Sequence, residues 1–263
     1  MKIPTLQFHQ LEKYKDKIHH FVTTRSGGVS QPPFDTLNLG NIIHDKPEDV
    51  LQNRAIVKEN LVCDRLFIAD QKHTNKIYSI TEKNVEAYKK LQNPFPASDG
   101  MLTDVKNIGL LTLAADCTPI LFFDPVKNVI GAVHSGWKGT ALKILTEAIQ
   151  QMGTDFNCSP HTIIISFGPF IKKETYEIGI DVINIFKEAY PIDYNSIICT
   201  HPNPQKAYLD IEAAQLNQCK TCGILSKNIE FMPFNTFTDN RFFSARGDGP
   251  EQTGRFGGAI VLK

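Results

Sequence analysis

The sequence has no excess of charge, no apolar run of membrane-spanning length and no glycine-rich nucleotide-binding motif. Its 28 basic residues balance its 28 acidic residues, so the charge gives no reason to expect nucleic acid or an anionic membrane as a partner. Residues 1–20 are charged throughout and contain no apolar core of signal-peptide length. We therefore expect a cytoplasmic protein that binds neither nucleic acid nor membranes.

Cysteine is sparse and its spacing does not suggest a disulfide framework. The six cysteines are spread over 263 residues without a signal sequence, which favours free thiols. Cys219 and Cys222 have the spacing of a redox pair or half a zinc knuckle, but no second pair completes a knuckle. They also end a predicted helix rather than begin one after a strand, so we interpret them as structural.

The apolar pattern mixes strands and helices without regular alternation. A chain of 263 residues is near the upper limit for one hydrophobic core, and the whole of residues 1–263 is expected to form one catalytic domain. Strands are predicted at residues 18–24, 108–114, 129–133 and 256–262, and helices at 47–61, 181–190 and 210–222. A further helix follows Gly139, with Leu142, Leu145 and Met152 on one face and Gly153 as its stop signal. We predict an α+β fold rather than a doubly wound one, since no Gly-x-Gly-x-x-Gly or phosphate-loop motif is present.

Residues 114–139 carry the main candidate site, because a cysteine and a histidine both fall where apolar runs give way to loops. Cys117 follows the run at 108–114, and His134 follows the run at 129–133. His73 comes after a short predicted strand and would make a His₂Cys set. Three protein ligands with a fourth position left to water is the arrangement of catalytic zinc. The residue pattern alone leaves open a metal-free Cys117–His134 pair, or a buried structural cysteine beside an ordinary histidine.

Asp116 precedes the candidate cysteine ligand directly. Its carboxylate could orient a ligand or transfer protons during the reaction, and we include it with Cys117 and His134 among the candidate catalytic residues. The alternative is an ordinary loop carboxylate.

Short motifs along nearly the whole chain carry a family resemblance. The most specific are Ala-Asp-Cys-Thr-Pro at 115–119 and His-Ser-Gly-Trp-Lys-Gly at 134–139. The other matching segments are residues 24–30, 37–40, 53–54, 71–73, 168–169, 176–179, 208–210, 242–244 and 253–255. On these motifs the chain resembles the laccase-domain family of polyphenol-oxidase-like proteins, understood as purine nucleoside phosphorylases with adenosine deaminase activity.

The resemblance implies a ligand set, a fold and a chemistry. It implies that His73, Cys117 and His134 bind zinc, and that the fold is a compact four-layer α/β/β/α domain with mixed sheets, related to cysteine hydrolases. The implied reactions are phosphorolysis of adenosine, inosine, guanosine and methylthioadenosine, and hydrolytic deamination of adenosine. The expected partners are thus purine nucleosides and phosphate, and the expected assembly is a monomer or a small homo-oligomer.

Several polar residues are candidates for binding substrate or phosphate. Arg25, beside a glycine-rich turn, is the first choice for phosphate, followed by Lys138 and Arg246, and Asn38 lies in a matching motif. Lys138 stands where the family commonly has arginine, and such a change keeps charge but loses two-pronged hydrogen bonding. Asn235 replaces a frequent cysteine, and Gly247 replaces one of two frequent adjacent arginines.

Three other functions remain open from the sequence. A copper-dependent, laccase-like polyphenol oxidase is one, since copper suits the same His₂Cys ligands, although the paired His-x-His motifs of a trinuclear copper cluster are absent. A metal-free cysteine hydrolase would use Cys117 as nucleophile and His134 as base. A non-catalytic binding protein would keep the site as a relic.

Overall fold

The structure, a computed structural model, describes residues 2–41, 44–91 and 94–263. In chain order the strands are β1 (Thr5–Leu6), β2 (Ile18–Thr23), β3 (Arg65–Ile68), β4 (Ile77–Ile80), β5 (Gly100–Thr103), β6 (Ile108–Ala114), β7 (Thr118–Asp124), β8 (Val129–Ser135), β9 (Ile164–Phe167), β10 (Glu177–Gly179), β11 (Ile198–Cys199), β12 (Lys206–Leu209), β13 (Ile229–Phe231) and β14 (Phe256–Leu262). The helices are α1 (His9–Glu12), α2 (Pro47–Leu61), α3 (Val85–Lys89), α4 (Trp137–Ala141), α5 (Ile144–Phe156), α6 (Ile180–Ala189), α7 (Tyr194–Ile197), α8 (Ile211–Thr221) and α9 (Ala245–Asp248), and a 3₁₀ turn covers Ser226–Asn228.

The strands form two large mixed sheets and one small sheet. The first sheet has the order β1-β2-β14-β6-β3, and the second has the order β13-β9-β7-β8-β5-β4. Both are mixed, because β3 runs parallel to β6, and β4 runs parallel to β5, among otherwise mostly antiparallel pairs. The small antiparallel sheet has the order β10-β12-β11. This arrangement confirms the α+β prediction.

The two large sheets pack face to face, and helices cover their outer faces. The core between them includes Leu110 and Ile260 of the first sheet and Leu121 of the second. On the outer side of the first sheet, α2 contributes Val57 and Leu61 to a separate apolar cluster. Helix α5 packs on the outer side of the second sheet in another cluster, so the packing order is helix, sheet, sheet, helix.

The central strands β7, β8 and β14 are buried along their whole length. Strands that are covered on both faces need apolar side chains at successive positions, which explains why they appear in the sequence as continuous apolar runs. None of the helices in the described parts of the chain combines the length and the apolar composition that crossing a membrane requires.

The predicted helix after Gly139 is wrong at both ends. Residues 137–141 form the separate helix α4, and Leu142 lies between α4 and α5 with half of its surface exposed (50%). Helix α5 continues through Gly153 and ends at Phe156, because Asn157 adopts the left-handed conformation that terminates it (φ 56°). Gly153 is therefore an interior helix residue and not a stop signal.

Candidate metal centre

The three candidate ligands meet where the two large sheets adjoin. His73 lies in the loop after β3 of the first sheet, and Cys117 lies where the chain crosses from β6 of the first sheet to β7 of the second. His134 lies in β8 of the second sheet. One ligand atom from each residue falls within 4.8 Å of the others, and the Cys117 Sγ and His73 Nε2 atoms are 3.9 Å apart. The structure thus brings together three donors that are far apart in the sequence.

The backbone around the ligands is tightly constrained. His73 and Asp116 both have left-handed backbones, with φ values of 60° and 79°. At Gly136 a Cβ atom would lie 2.6 Å from the Cys117 Sγ atom, so any larger residue would displace the thiol. The glycine of the His-Ser-Gly-Trp motif is explained by this close approach.

Asp99 connects the two histidines. Its Oδ1 atom accepts hydrogen bonds from Nδ1 of His134 (2.8 Å) and from the backbone N–H of His73 (3.0 Å). Its Oδ2 atom accepts from the backbone N–H and the hydroxyl of Thr74 at 2.7 and 2.9 Å. Since Nδ1 of His134 donates to Asp99, Nε2 is the nitrogen of that ring that a metal would bind, in place of a proton.

The charges of the site stabilise one another. Burial would raise the pKa of Asp99, but the hydrogen bond and charge of His134, together with Thr74, lower it to about 2. Burial also opposes charge on Cys117 and His134, yet the thiolate and the imidazolium stabilise each other, so the pKa of Cys117 is lowered and that of His134 is raised. A thiolate is the form of cysteine that binds metals or attacks electrophiles.

A cavity of about 720 Å³ opens beside the ligands. It is lined by His73, Cys117 and His134, by the apolar residues Ile68, Ala69, Leu113, Ala114, Ala115, Ala245 and Pro250, and by Gly40, Asn41, Arg54, Asp70, Gln71, Lys72 and Arg255. Its volume lies within the range of small-molecule sites. Apolar walls, charged groups and the three ligands thus face the same space.

Asp116 does not line this cavity. Its Oδ1 atom accepts hydrogen bonds from the hydroxyls of Thr236 (2.6 Å) and Ser244 (2.8 Å), and its Oδ2 atom accepts from the backbone N–H of Arg246 (2.6 Å). These contacts connect the residue before Cys117 to Thr236 and to the start of α9, which are both distant in the sequence. The geometry favours an anchoring role, and the proton-transfer role stays a prediction.

The predicted substrate residues also lie outside the cavity lining. The guanidinium of Arg25 donates to the carbonyls of Pro33 and Asp35 and lies over the ring of Phe243. The Nζ atom of Lys138 lies over the Trp137 ring, 5.4 Å from its centroid. Arg246 donates through Nη1 to the carbonyl of Glu177, while Asn38 is fully buried and binds Asp45.

The two other departures from the family pattern are structural. Asn235 exchanges hydrogen bonds with the hydroxyl of Thr175 and accepts from the backbone N–H of Lys172. The backbone N–H of Gly247 donates to the hydroxyl of Ser244. Neither residue lines the cavity.

Sequence reasoning missed Asp99, Arg54 and Arg255. Asp99 directly precedes β5, a position typical of site residues, but a carboxylate before a glycine is too common a pattern to stand out. Arg54 and Arg255 both occur in the short motifs that match the family, and this was the feature of the sequence that could have indicated a functional role. That the two arginines line the same cavity becomes visible only in the folded structure.

Comparison with known proteins agrees with this architecture. A family model described as "Multi-copper polyphenol oxidoreductase laccase" matches residues 19–263. The Bacillus subtilis protein named purine nucleoside phosphorylase YlmD is 31% identical over 246 residues, covering 92% of this chain and 87% of the relative. A Bacteroides thetaiotaomicron protein named purine nucleoside phosphorylase is 27% identical over 262 residues, covering 98% of this chain and 96% of the relative.

Among solved structures, the Bacillus licheniformis hypothetical protein YfiH superimposes with a TM-score of 0.88 at 28% identity, covering 100% of this chain and 97% of that one. The fold and the three-donor site define a mixed two-sheet α+β protein that could hold a metal. The chain belongs to the laccase-domain family, and the resemblance carried by its motifs is confirmed.

Proposed function

We propose that this chain is a single-domain enzyme of purine nucleoside metabolism. It would phosphorolyse adenosine, inosine, guanosine and methylthioadenosine, and would deaminate adenosine. The observation that carries the proposal is the convergence of His73, Cys117 and His134 on the wall of the 720 Å³ cavity. Support comes also from the relatives in Bacillus subtilis and Bacteroides thetaiotaomicron, which bear the name purine nucleoside phosphorylase.

We propose zinc as the metal because one thiolate and two imidazole nitrogens form a donor set that zinc accepts. When bound by three protein ligands, Zn²⁺ lowers the pKa of a coordinated water to roughly 7. Copper suits the same donors. Within the described residues, His73, Cys117 and His134 are the one group of three that could hold a metal, which disfavours a multi-copper cluster.

In phosphorolysis, a phosphate oxygen forms a bond to C1′ of the ribose while the bond from C1′ to N9 breaks. The electron pair leaves with the purine, which takes up a proton, and ribose 1-phosphate is released. The apolar wall that includes Ile68 and Leu113 would hold the nucleoside and exclude water. Asp99 would hold His134 and the loop carrying His73 in place throughout.

In deamination, water adds to C6 of adenosine and ammonia leaves, so that inosine is formed. This reaction needs no phosphate, which separates it experimentally from phosphorolysis. Both reactions use the same cavity in this proposal, and both depend on the same three ligands.

The test is to purify the protein without added metal, determine its metal content, and incubate it with adenosine with and without phosphate. We expect about one equivalent of zinc. Chromatography should show adenine only when phosphate is present, and inosine also when phosphate is absent. The Cys117→Ala variant should form neither product. A folded, zinc-loaded protein that converts no nucleoside would overturn the proposal.

A metal-free cysteine hydrolase that uses Cys117 and His134 is the second candidate, and one observation favours it. The Asp99 carboxylate lies 2.8 Å from Nδ1 of His134, which is the arrangement of a base oriented for a Cys117 nucleophile. In that case alkylation of the thiol would abolish activity, and removal of metal by a chelator would not. Under the metal-dependent proposal, a chelator is expected to abolish activity even when the thiol is not alkylated.

A further inference from the structure

Two arginines, Arg54 and Arg255, line the cavity. Both are half-buried, and neither forms an ion pair with a carboxylate among the described residues. Asp70, the one carboxylate in the described cavity lining, is paired with Lys72 (3.1 Å). Burial lowers the pKa of both guanidinium groups, so their surroundings disfavour the positive charge that arginine always carries.

The same short loop holds both arginines. The Nε atom of Arg54, in α2, donates to the carbonyl of Leu39 (2.8 Å). The backbone of Arg255 donates to the side chain of Asn38 (2.8 Å) and accepts from the backbone N–H of Leu39 (2.9 Å). The buried Asn38, which the sequence predicted to bind substrate, holds the backbone of Arg255.

The terminal amino groups of the two arginines differ in how many hydrogen-bond acceptors they contact. Nη1 of Arg255 donates to the carbonyls of Thr253 and Gly254, and Nη2 donates to that of Pro250. Those bonds fix the direction of the guanidinium. The two terminal amino groups of Arg54 have no acceptor among the described residues, so they are free to bind a ligand in the cavity.

Arg255 is close to one of the candidate metal ligands, and both arginines line the cavity beside all three. The charges of Cys117 and Asp116 act on Arg255, and Arg255 lines the same cavity as Cys117. Gly40 allows this placement, since a Cβ atom there would lie 2.5 Å from Cγ of Arg255. An anion bound by the pair would therefore lie beside the nucleoside in the same cavity.

We propose that Arg54 and Arg255 form the subsite for inorganic phosphate. Two planar guanidinium groups match the geometry of phosphate oxygens, and a phosphate would pair with two cations that form no ion pair with a carboxylate among the described residues. The inference rests on the proposed phosphorylase function for its role in the reaction. Arg54 and Arg255 line the cavity, whereas the predicted phosphate residues Arg25, Lys138 and Arg246 are absent from its lining.

The experiment measures binding of inorganic phosphate to the metal-loaded protein by calorimetry, without nucleoside, for Arg54→Gln and Arg255→Gln. We expect each variant to bind phosphate at least about tenfold more weakly, because a charge-assisted hydrogen-bonding group is lost. The KM for phosphate in phosphorolysis should rise in parallel, while the KM for the nucleoside changes little. Arg241→Gln is the matched control, because Arg241 pairs with Asp239 outside the cavity, and it should bind phosphate like the wild type.

Metal content and the melting temperature verify that each variant is folded. If a glutamine variant does not fold, Arg54→Lys and Arg255→Lys keep the charge without the two-pronged geometry and should show an intermediate loss. Unchanged phosphate affinity in both variants would overturn the inference, whatever the enzyme does with nucleosides. Phosphate binding that depends on the arginines, in a protein that converts no nucleoside, would uphold the subsite and overturn the proposed function.

A parallel titration with AMP separates free phosphate from the phosphoryl group of a nucleotide. We expect the arginine variants to lose affinity for inorganic phosphate. If they lose affinity for AMP alone, the subsite holds a nucleotide phosphoryl group, and the assignment to inorganic phosphate is wrong.

Discussion

Asp99 acts on both histidines of the candidate metal centre through a single carboxylate. It orients the His134 ring and fixes the backbone of the loop that carries His73. A partner of this kind sets the direction of the metal-binding nitrogen, and its removal typically weakens metal binding by about 10–100-fold.

Asp99→Asn is therefore expected to weaken metal binding by roughly that factor while the protein stays folded. The amide group cannot accept all the hydrogen bonds that the carboxylate accepts. Competition with a chromophoric chelator measures the affinity, and Asp16→Asn, at an exposed position, is the control. Equal affinity in Asp99→Asn and the control would contradict this role.

His20 makes the stability of the protein dependent on pH. Burial, and then the neighbouring His19, lower the pKa of His20 to about 4, and its Nε2 atom accepts a hydrogen bond from the backbone N–H of Phe8 (3.0 Å). The folded protein therefore binds fewer protons than the unfolded chain between pH 6.5 and about 4. The neutral histidine stabilises the fold fully above pH 6.5, and this stabilisation is lost as the pH falls towards 4.

His20→Gln keeps an acceptor for Phe8 but cannot titrate. From pH 7 to pH 4, the wild type should therefore lose about 3 kcal/mol more unfolding free energy than the variant. Urea unfolding at several pH values measures it. A difference that stays constant over this range would show that His20 does not couple folding to protons.

At the residue scale, the sequence predicted three candidate ligands that the structure brings together, but it did not predict the cations of the cavity. Cys117 and His134 stand at the ends of strongly apolar strands, so their placement follows from local pattern. Arg25, predicted to bind phosphate, does not line the cavity, because its side chain turns back onto the carbonyls of its own loop. Arg255 lines the cavity, and its backbone is held by Asn38, which is distant in the sequence.

At the element scale, strands buried on both faces were the most predictable features. The predicted strands at 108–114 and 256–262 coincide with β6 and β14. A short, mostly apolar run of this length is typical of a buried strand and is too short for most helices. Helix ends were less predictable. The glycine at 153 lies inside α5, where tertiary packing of Ile149 and Met152 outweighs its low helix propensity.

Gly153→Ala should consequently stabilise the protein by about 1 kcal/mol, since alanine restricts the unfolded chain and favours the helix. A Cβ atom there meets only one neighbour, the carbonyl of Cys158 at 3.7 Å. Gly223→Ala is the opposite control, because Gly223 has a left-handed backbone (φ 81°) and alanine there should destabilise. Chemical unfolding compares the two, and equal effects would refute the distinction.

At the scale of the whole molecule, the candidate metal centre joins the two large sheets. His73 follows a strand of the first sheet and His134 belongs to the second, so a bound metal would crosslink them. A ligand that binds the folded state at 100 times its Kd adds about 2.7 kcal/mol of stability.

Removal of metal by a chelator is thus expected to lower the melting temperature by about 5 °C or more. Differential scanning calorimetry of the protein with and without chelator tests this. Cys117→Ala should melt at the same temperature under both conditions, since one ligand is missing. A chelator effect of equal size in that variant would place the metal elsewhere.

The position of β14 between β2 and β6 also has a consequence for how the protein folds. The backbone N–H of Gly257 donates to the Thr23 hydroxyl across 234 residues of sequence, so the first sheet cannot close until widely separated segments meet. Contacts of such long range slow folding, because the chain loses loop entropy before it gains packing energy. The wall that carries Arg255 depends on this closure, and the cavity would therefore be among the last parts of the molecule to take shape during refolding.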